Sequence, residues 1–232
     1  MAANLSTDFT RYDQKLEFIL RTSARIFAEK GYHSTSMRDI ARATEVSLAG
    51  LYYYCKSKEE LLFLIQDNCF GRVHERLQER LRETTEPLAK LRLVIENHLS
   101  FFAANMAEMK VLSHEADSLA GEMHAHVTGQ KQKYTRLVRR ILSEVQQAQQ
   151  VPEGHDVQKL DLTVATYALF GMMNWIYNWY DPHGKLSVND LVDNLTRLFL
   201  SGFLAGTTGD ELQFTSKITK AERLSVWRNA NT

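Results

Sequence analysis

Apolar residues recur at three- and four-residue steps along almost the whole chain, the period of an amphipathic helix rather than the alternation of a strand. In the first segment Leu16, Ile19, Leu20, Ala24, Phe27 and Ala28 form one stripe. Gly31, directly after Lys30, supplies the left-handed residue at which such a helix stops. Three short units follow in quick succession. Ser36 opens a helix over 36–43 with Met37, Ile40 and Ala41 inward, Ser47 opens one running 48–54, and Ser57 opens a third backed by Leu61, Leu62, Leu64 and Ile65. Ser57 with Glu60 has capping-box spacing, and Ser36 with Asp39 is a shorter version of it. Helices of about seven residues do not persist alone in water. These must dock on the first helix and on the start of the fourth.

Longer helices are expected beyond. The pattern predicts them over 88–104 (after Pro87), 106–116, 118–150, 156–180 and 187–205, the last capped by Ser187 with Asp190. Residues 151–154 read as a linker and 181–184 as a turn. The polar stretch 207–232 carries one short predicted helix around 221–227. Three Pro and 11 Gly in 232 residues leave too few turn residues for a many-stranded β-protein.

Charge narrows the picture little, because 28 Lys/Arg face 28 Asp/Glu. Residues 1–60 hold nine cationic side chains against eight carboxylates, a net +1 that is weak for a nucleic-acid binder taken alone. Cys55 and Cys69 read as reduced thiols. The polar first dozen residues and the lack of any apolar run of about 18 predict a soluble, cytoplasmic protein with no membrane partner. No GxGxxG, GxSxG or P-loop occurs, and Gly206-Thr207-Thr208-Gly209 follows a helix rather than a strand. No enzyme activity and no cofactor are expected. His114-Glu115, His124 and His126 invite a metal reading, but histidines at i,i+2 point to different helix faces and HExxH is absent, so no metal site is assigned.

Two capped short helices joined by a tight turn make a helix-turn-helix, whose second helix enters a major groove while nearby hydroxyls and amides hold phosphates. The residues carry a specific likeness. Phe27-Ala28-Glu29-Lys30-Gly31-Tyr32, Thr35-Ser36-Met37-Arg38-Asp39-Ile40-Ala41, Val46-Ser47, Leu51-Tyr52-Tyr53-Tyr54 and Lys56-Ser57-Lys58-Glu59-Glu60-Leu61-Leu62 resemble the DNA-binding domain of TetR-type repressors. The resemblance implies an all-α fold with three parts: an N-terminal three-helix helix-turn-helix domain (1–60), a C-terminal helical ligand-binding and dimerisation domain (61–206), and a C-terminal extension (207–232).

It further implies phosphate contacts from Thr35, Ser36, Tyr53, Tyr54 and Lys58, base-edge contacts near Leu48, Ala49 and Gly50 with help from Arg38, and Ser47 opening the recognition helix. Lys58 also suits a phosphate on general grounds, sitting in the first turn of a helix. Tyr52 is expected in the core, since the recognition helix needs an apolar face. The chain departs from the pattern in three ways. Glu45 stands where the turn usually has Gly, at a cost of about 1 kcal/mol if left-handed. Cys55 replaces an aromatic. Leu48, Ala49 and Gly50 bring no donor, so they can read only thymine methyls and shape.

Downstream, Met and aromatic residues interleave with polar ones, which suits a plastic pocket for an apolar ligand with a polar end. The residues assigned to it are His98, Phe101, Phe102, Met109, Tyr134, Leu137, Phe170, Met173, Asn174 and Tyr177. The segments 97–102, 109–115 and 171–180 are similar to the TetR-type branch that controls fatty-acid and sterol degradation and answers to acyl-CoA thioesters. Lys131, Lys133, Arg136, Arg139 and Arg140 could meet the phosphates of CoA or simply face solvent. The last two long helices are the family's dimer interface, which implies a homodimer joined through Ala168, Gly171, Trp175, Leu191, Leu195, Leu198, Phe199 and Gly202. The expected partners are therefore a double-stranded DNA operator, a hydrophobic effector and a second copy of the chain. Two alternatives stand beside this reading: a repressor sensing a cationic or planar drug-like molecule, and a small-molecule binding protein without DNA binding.

Overall fold

The computed structural model describes residues 2–115, 117–148 and 160–204, and side chains between 11 and 202 within those ranges. The described residues hold nine α-helices, α1 (Ala2–Lys30), α2 (Met37–Ala43), α3 (Leu48–Tyr54), α4 (Lys58–Leu81), α5 (Pro87–Ala103), α6 (Met106–His114), α7 (Gly121–Ala148), α8 (Leu162–Asn174) and α9 (Val188–Leu204). One 3-10 turn, Trp175–Asn178, follows α8, and no strand is present among these residues. The linker at 151–154 and the predicted helix over 221–227 lie outside the described residues.

Local chemistry explains the short helices. Ser36 accepts from the Asp39 amide (3.2 Å) while the Asp39 carboxylate takes the Ser36 amide (2.9 Å), a complete reciprocal box. The Ser36 hydroxyl also donates to the Asp39 carboxylate (2.5 Å), and this bond with that from the Ser36 amide holds the Asp39 carboxyl below its ordinary pKa. The box expected at Ser57 closes differently: Ser57 Oγ accepts from the Glu60 amide (3.0 Å), but the Glu60 carboxylate takes the amide of Lys56. Between α2 and α3 the Val46 amide reaches back to the Ala41 carbonyl (3.1 Å), a Schellman closure that places Glu45 at φ 52°. The left-handed turn anticipated at Glu45 is thus present without its usual glycine.

Two apolar cores result. One gathers Ile19, Phe27, Ile40, Leu51, Leu61 and Ile65 from α1–α4, and Val111, Leu119 and Val127 from α6, the following loop and α7 join it. The other joins α4, α5, α7, α8 and α9 through Val73, Leu77, Leu99, Val138, Leu169 and Leu191. Helices α4, α6 (Val111 in the first core, Met109 and Leu112 in the second) and α7 therefore contribute to both cores.

The structure corrects several boundaries. Of the helix expected over 156–180, 156–159 lie outside the described residues; among the described ones it is α-helical over Leu162–Asn174, where Asp161 caps it by accepting from the Thr163 and Val164 amides. The turn then tightens, with the Ile176 carbonyl accepting from both Trp179 and Tyr180. Apolar spacing over so few residues does not separate α from 3-10 winding. Helix α7 begins at Gly121 (φ 54°) rather than 118, because Ser118 is engaged with the Glu115 carboxylate at 2.7 Å. Tyr52 is 47% exposed, not core; Leu51, fully buried, is the inward residue of α3.

Candidate functional site

Helix α2 buries Ile40 and Ala41 and α3 buries Leu51, which leaves the other faces of both helices outward. Ser36, Arg38, Ser47 and Ala49 are exposed, Leu48 and Gly50 half-buried, and Tyr53 is 74% exposed. Ser47 Oγ accepts from the Gly50 amide (3.0 Å), so the recognition helix is capped as the sequence implied. A Cβ on Gly50 would lie 2.9 Å from a Val46 methyl. That glycine is therefore needed for the closeness of the turn, whatever it does at a base edge.

Two of the ten DNA-facing assignments are corrected. Thr35 is buried, and its hydroxyl donates to the Gly31 carbonyl at 2.8 Å. Lys58 Nζ donates to the carbonyls of Tyr32 (2.8 Å), His33 (3.4 Å) and Thr35 (2.8 Å) and sits 4.4 Å from the Tyr32 ring centroid. An ammonium has three donors, and here all three close the α1–α2 connection, so none is left for a phosphate. Sequence reasoning missed Tyr12, which stacks on Tyr54 (5.0 Å) and meets Tyr53 edge-on (5.9 Å). Its only sequence signal is an aromatic on the exposed first half of α1.

A second site lies in the larger half of the molecule. A cavity of about 740 Å³ opens between α7 and α8, floored by Phe70 and Val73 of α4, Phe102 of α5, and Met109 and Leu112 of α6. Seven assigned residues line it: His98, Phe102, Met109, Tyr134, Phe170, Asn174 and Tyr177. Three do not. Phe101 turns toward the crevice between α1 and α4, with Cys69 and Ile65. Leu137 packs on the core from outside, and Met173 is fully buried beneath the wall. Phe101 and Phe102 stand about 100° apart around α5, and here only Phe102 is turned to the cavity.

His98 is the polar centre of this wall. Its Nε2 faces Asn174 Oδ1 at 3.0 Å and its Nδ1 faces the Tyr134 hydroxyl at 3.4 Å. A carbonyl oxygen only accepts, so the proton sits on Nε2 and Nδ1 accepts from Tyr134. Burial pushes the His98 pKa from 6.5 down to about 4, and burial raises that of Tyr134. A neutral His98 therefore favours the folded state above pH 6.5, and that contribution is lost as the pH falls toward 4. Urea midpoints at pH ~7 and ~4.5 should differ less for His98→Gln than for the unsubstituted protein. Equal pH dependence in the two would remove His98 from the acid response.

Helix α6 connects the two sites. Met109 and Leu112 face the cavity, whereas Val111 packs into the core of α1–α4. The fully buried Gln66 of α4 donates to the Glu115 carbonyl at 3.0 Å, and the Tyr177 hydroxyl meets His114 Nε2 at 3.0 Å. His126 pairs with Asp67 at 2.7 Å. His114 and His126 are thus tied to separate partners. Among the described residues no cluster suited to a metal ion occurs, and no helix is long and apolar enough to cross a membrane.

Family models match both halves. Residues 19–65 fit the model described as bacterial regulatory proteins of the tetR family, and 84–203 fit the tetracyclin repressor-like C-terminal domain. The chain belongs to the TetR family. It is a DNA-binding transcriptional repressor and not an enzyme. This TetR-family chain is 27% identical over 187 residues to the fatty acid metabolism regulator protein of Bacillus subtilis, covering 79% of this chain and 93% of that one. A crystal structure of AibR in complex with isovaleryl coenzyme A and operator DNA superposes with TM-score 0.68 at 28% identity, covering 79% of this chain and 97% of AibR. A TetR-family regulator from Bordetella parapertussis gives TM-score 0.72 at 28% identity, covering 82% and 96%.

The residues assigned to the TetR-type dimer face divide into three groups. Ala168, Gly171, Trp175, Leu198 and Gly202 are exposed, Trp175 by 61% and Leu198 by 64%. Leu191 and Phe199 are buried in the subunit's own core, which corrects those two, and Leu195 is half-buried at its edge. Val164 and Tyr167, each 64% exposed, extend the α8 stripe and were missed. Gly171 and Trp175 also line the cavity.

Proposed function

We propose that this TetR-family repressor binds a palindromic operator as a homodimer and releases it when a hydrophobic effector, an acyl-CoA thioester, fills the cavity. The observation that carries this reading is the double placement of α6. Its cavity face and its face against α1 belong to one short rigid element, so expanding the cavity must strain the seat of the DNA-binding helices. A volume of about 740 Å³ lies within the range of about 300–1,000 Å³ of ligand cavities. The fatty acid regulator and the isovaleryl-CoA complex among its relatives support a thioester. The exposed stripe of Val164, Tyr167, Ala168, Gly171 and Trp175, with Leu198 and Gly202 of α9, supports pairing of two copies through a four-helix bundle. Ser36, Arg38, Ser47, Leu48, Ala49, Gly50, Tyr53 and Tyr54 are the residues assigned to the operator, with Tyr12 steadying the tyrosines.

A dimer must hold its recognition helices about 34–36 Å apart to meet successive major grooves. The effector acts only through its preference for the conformer that misses this spacing. A hundredfold release corresponds to about 2.7 kcal/mol of that preference per dimer. Fluorescence anisotropy of labelled operator, titrated with acyl-CoAs of graded length and with free CoA, tests it. The medium- to long-chain thioesters should weaken operator binding and free CoA should not. A response to a cationic dye and to no thioester would replace the acyl-CoA reading with the drug sensor.

A further inference from the structure

The charges around the cavity are all of one sign. Among the described residues that line it there is no carboxylate, but there are two cations, Lys131 and Arg136, both on α7. Of the five basic residues between 131 and 140, these two alone are in the lining. Arg136 is exposed at the mouth; Lys131 is half-buried. Lys131 Nζ lies 5.5 Å from the ring centroid of Phe70, itself a cavity residue, so the ammonium sits over the apolar floor.

Several cations elsewhere in this half of the molecule are paired with carboxylates. Lys90 pairs with Glu144 at 2.7 Å, Arg80 with Glu96 at 2.5 Å and Arg92 with Asp193 at 2.5 Å. Lys131 has no carboxylate within ion-pair distance among the described residues. The exposed Asp117 acts on it only from further away. Burial accordingly holds the Lys131 pKa below the usual lysine value. A half-buried ammonium without a counter-ion is costly unless something else brings the negative charge.

We propose that Lys131 is the anion-recognition residue of the cavity, and that the natural ligand is an amphipath whose apolar chain fills the floor while its anionic head meets this ammonium. The requirement is for negative charge next to the chain. A CoA phosphate or a free carboxylate could supply it. The inference rests on the effector reading above only in taking the cavity as a ligand site, and it is independent of the thioester.

Four probes with one chain length separate the possibilities: dodecanoyl-CoA, dodecanoate, dodecanol and dodecyltrimethylammonium, each titrated calorimetrically into the full-length protein. At least one anion should bind tenfold or more tighter than the alcohol, and the ammonium should bind worst. Lys131→Met keeps the length of the stem and should weaken the anion by about ten- to a hundredfold, the range of one charge-assisted hydrogen bond. Lys131→Glu should turn the preference toward the ammonium. If dodecanoate binds through Lys131 and dodecanoyl-CoA does not, the thioester reading falls and this one stands. Anion binding unchanged in Lys131→Met, absent from the unsubstituted protein, or no tighter than that of the ammonium would overturn it. Melting temperature without ligand is the second readout. Lys131→Met should leave it unchanged or raise it; a fall would make Lys131 a packing residue instead.

Discussion

Replacing Lys58 with alanine should unfold the DNA-binding unit before it reveals anything about DNA. The ammonium holds the carbonyls of Tyr32, His33 and Thr35 together where the chain turns from α1 into α2. Thr35 and Tyr32 are buried there, so water cannot fully replace the lost donors. Removing a charged donor and leaving several acceptors unsatisfied costs about 2–4 kcal/mol, a large share of a small domain's stability. Urea melts monitored by tyrosine fluorescence should show a markedly lower midpoint. Operator and random DNA should lose affinity together, in proportion to the unfolded fraction. A phosphate contact predicts something else: an unchanged melt and a salt slope shallower by about two per dimer. That second outcome would restore Lys58 to the DNA surface.

Phe170→Asp and Met173→Asp should part company although they stand one turn apart on the same helix. Phe170 is half-buried and borders the cavity, so a carboxylate there can reach the solvent of the mouth. It places a negative charge opposite an anionic amphipath. The expected result is native melting, operator binding retained without effector, and loss of the roughly hundredfold release by dodecanoyl-CoA. Met173 is fully buried against the core and touches no part of the cavity. A carboxylate there has neither water nor a partner, and a cost above about 4 kcal/mol would leave the chain largely unfolded. Melting curves of the two variants side by side decide the matter. A native melt for Met173→Asp would mean that residue 173 is not in the core.

The division between what was legible in advance and what was not follows one rule. Features set by neighbours in sequence were read correctly: the serine caps of α2, α3 and α4, the stop at Gly31, and the left-handed Glu45. Each depends on bonds spanning three to five residues, which spacing encodes directly. The direction of a side chain was read less well. Phe101 and Phe102 look alike in sequence, as do Leu195 and Leu198. Which of each pair faces the core, the cavity or solvent depends on the rotation of its helix against neighbours tens of residues away.

By itself the sequence determined that this is an all-α chain, that its first sixty residues carry a helix-turn-helix, and that a larger helical half follows. Period, caps and turn residues are local, and the TetR-type motif is contiguous. Only the tertiary structure decided how charges and polar groups are used. It spends Lys58 on three carbonyls 23 to 26 residues away. It buries the Thr35 hydroxyl and turns Tyr52 outward. From a run of five basic residues it brings Lys131 and Arg136 to the cavity. Where a charge finds its partner is set by long-range packing, because electrostatic and hydrogen-bond energies depend on distance and burial in the folded chain rather than on separation along it.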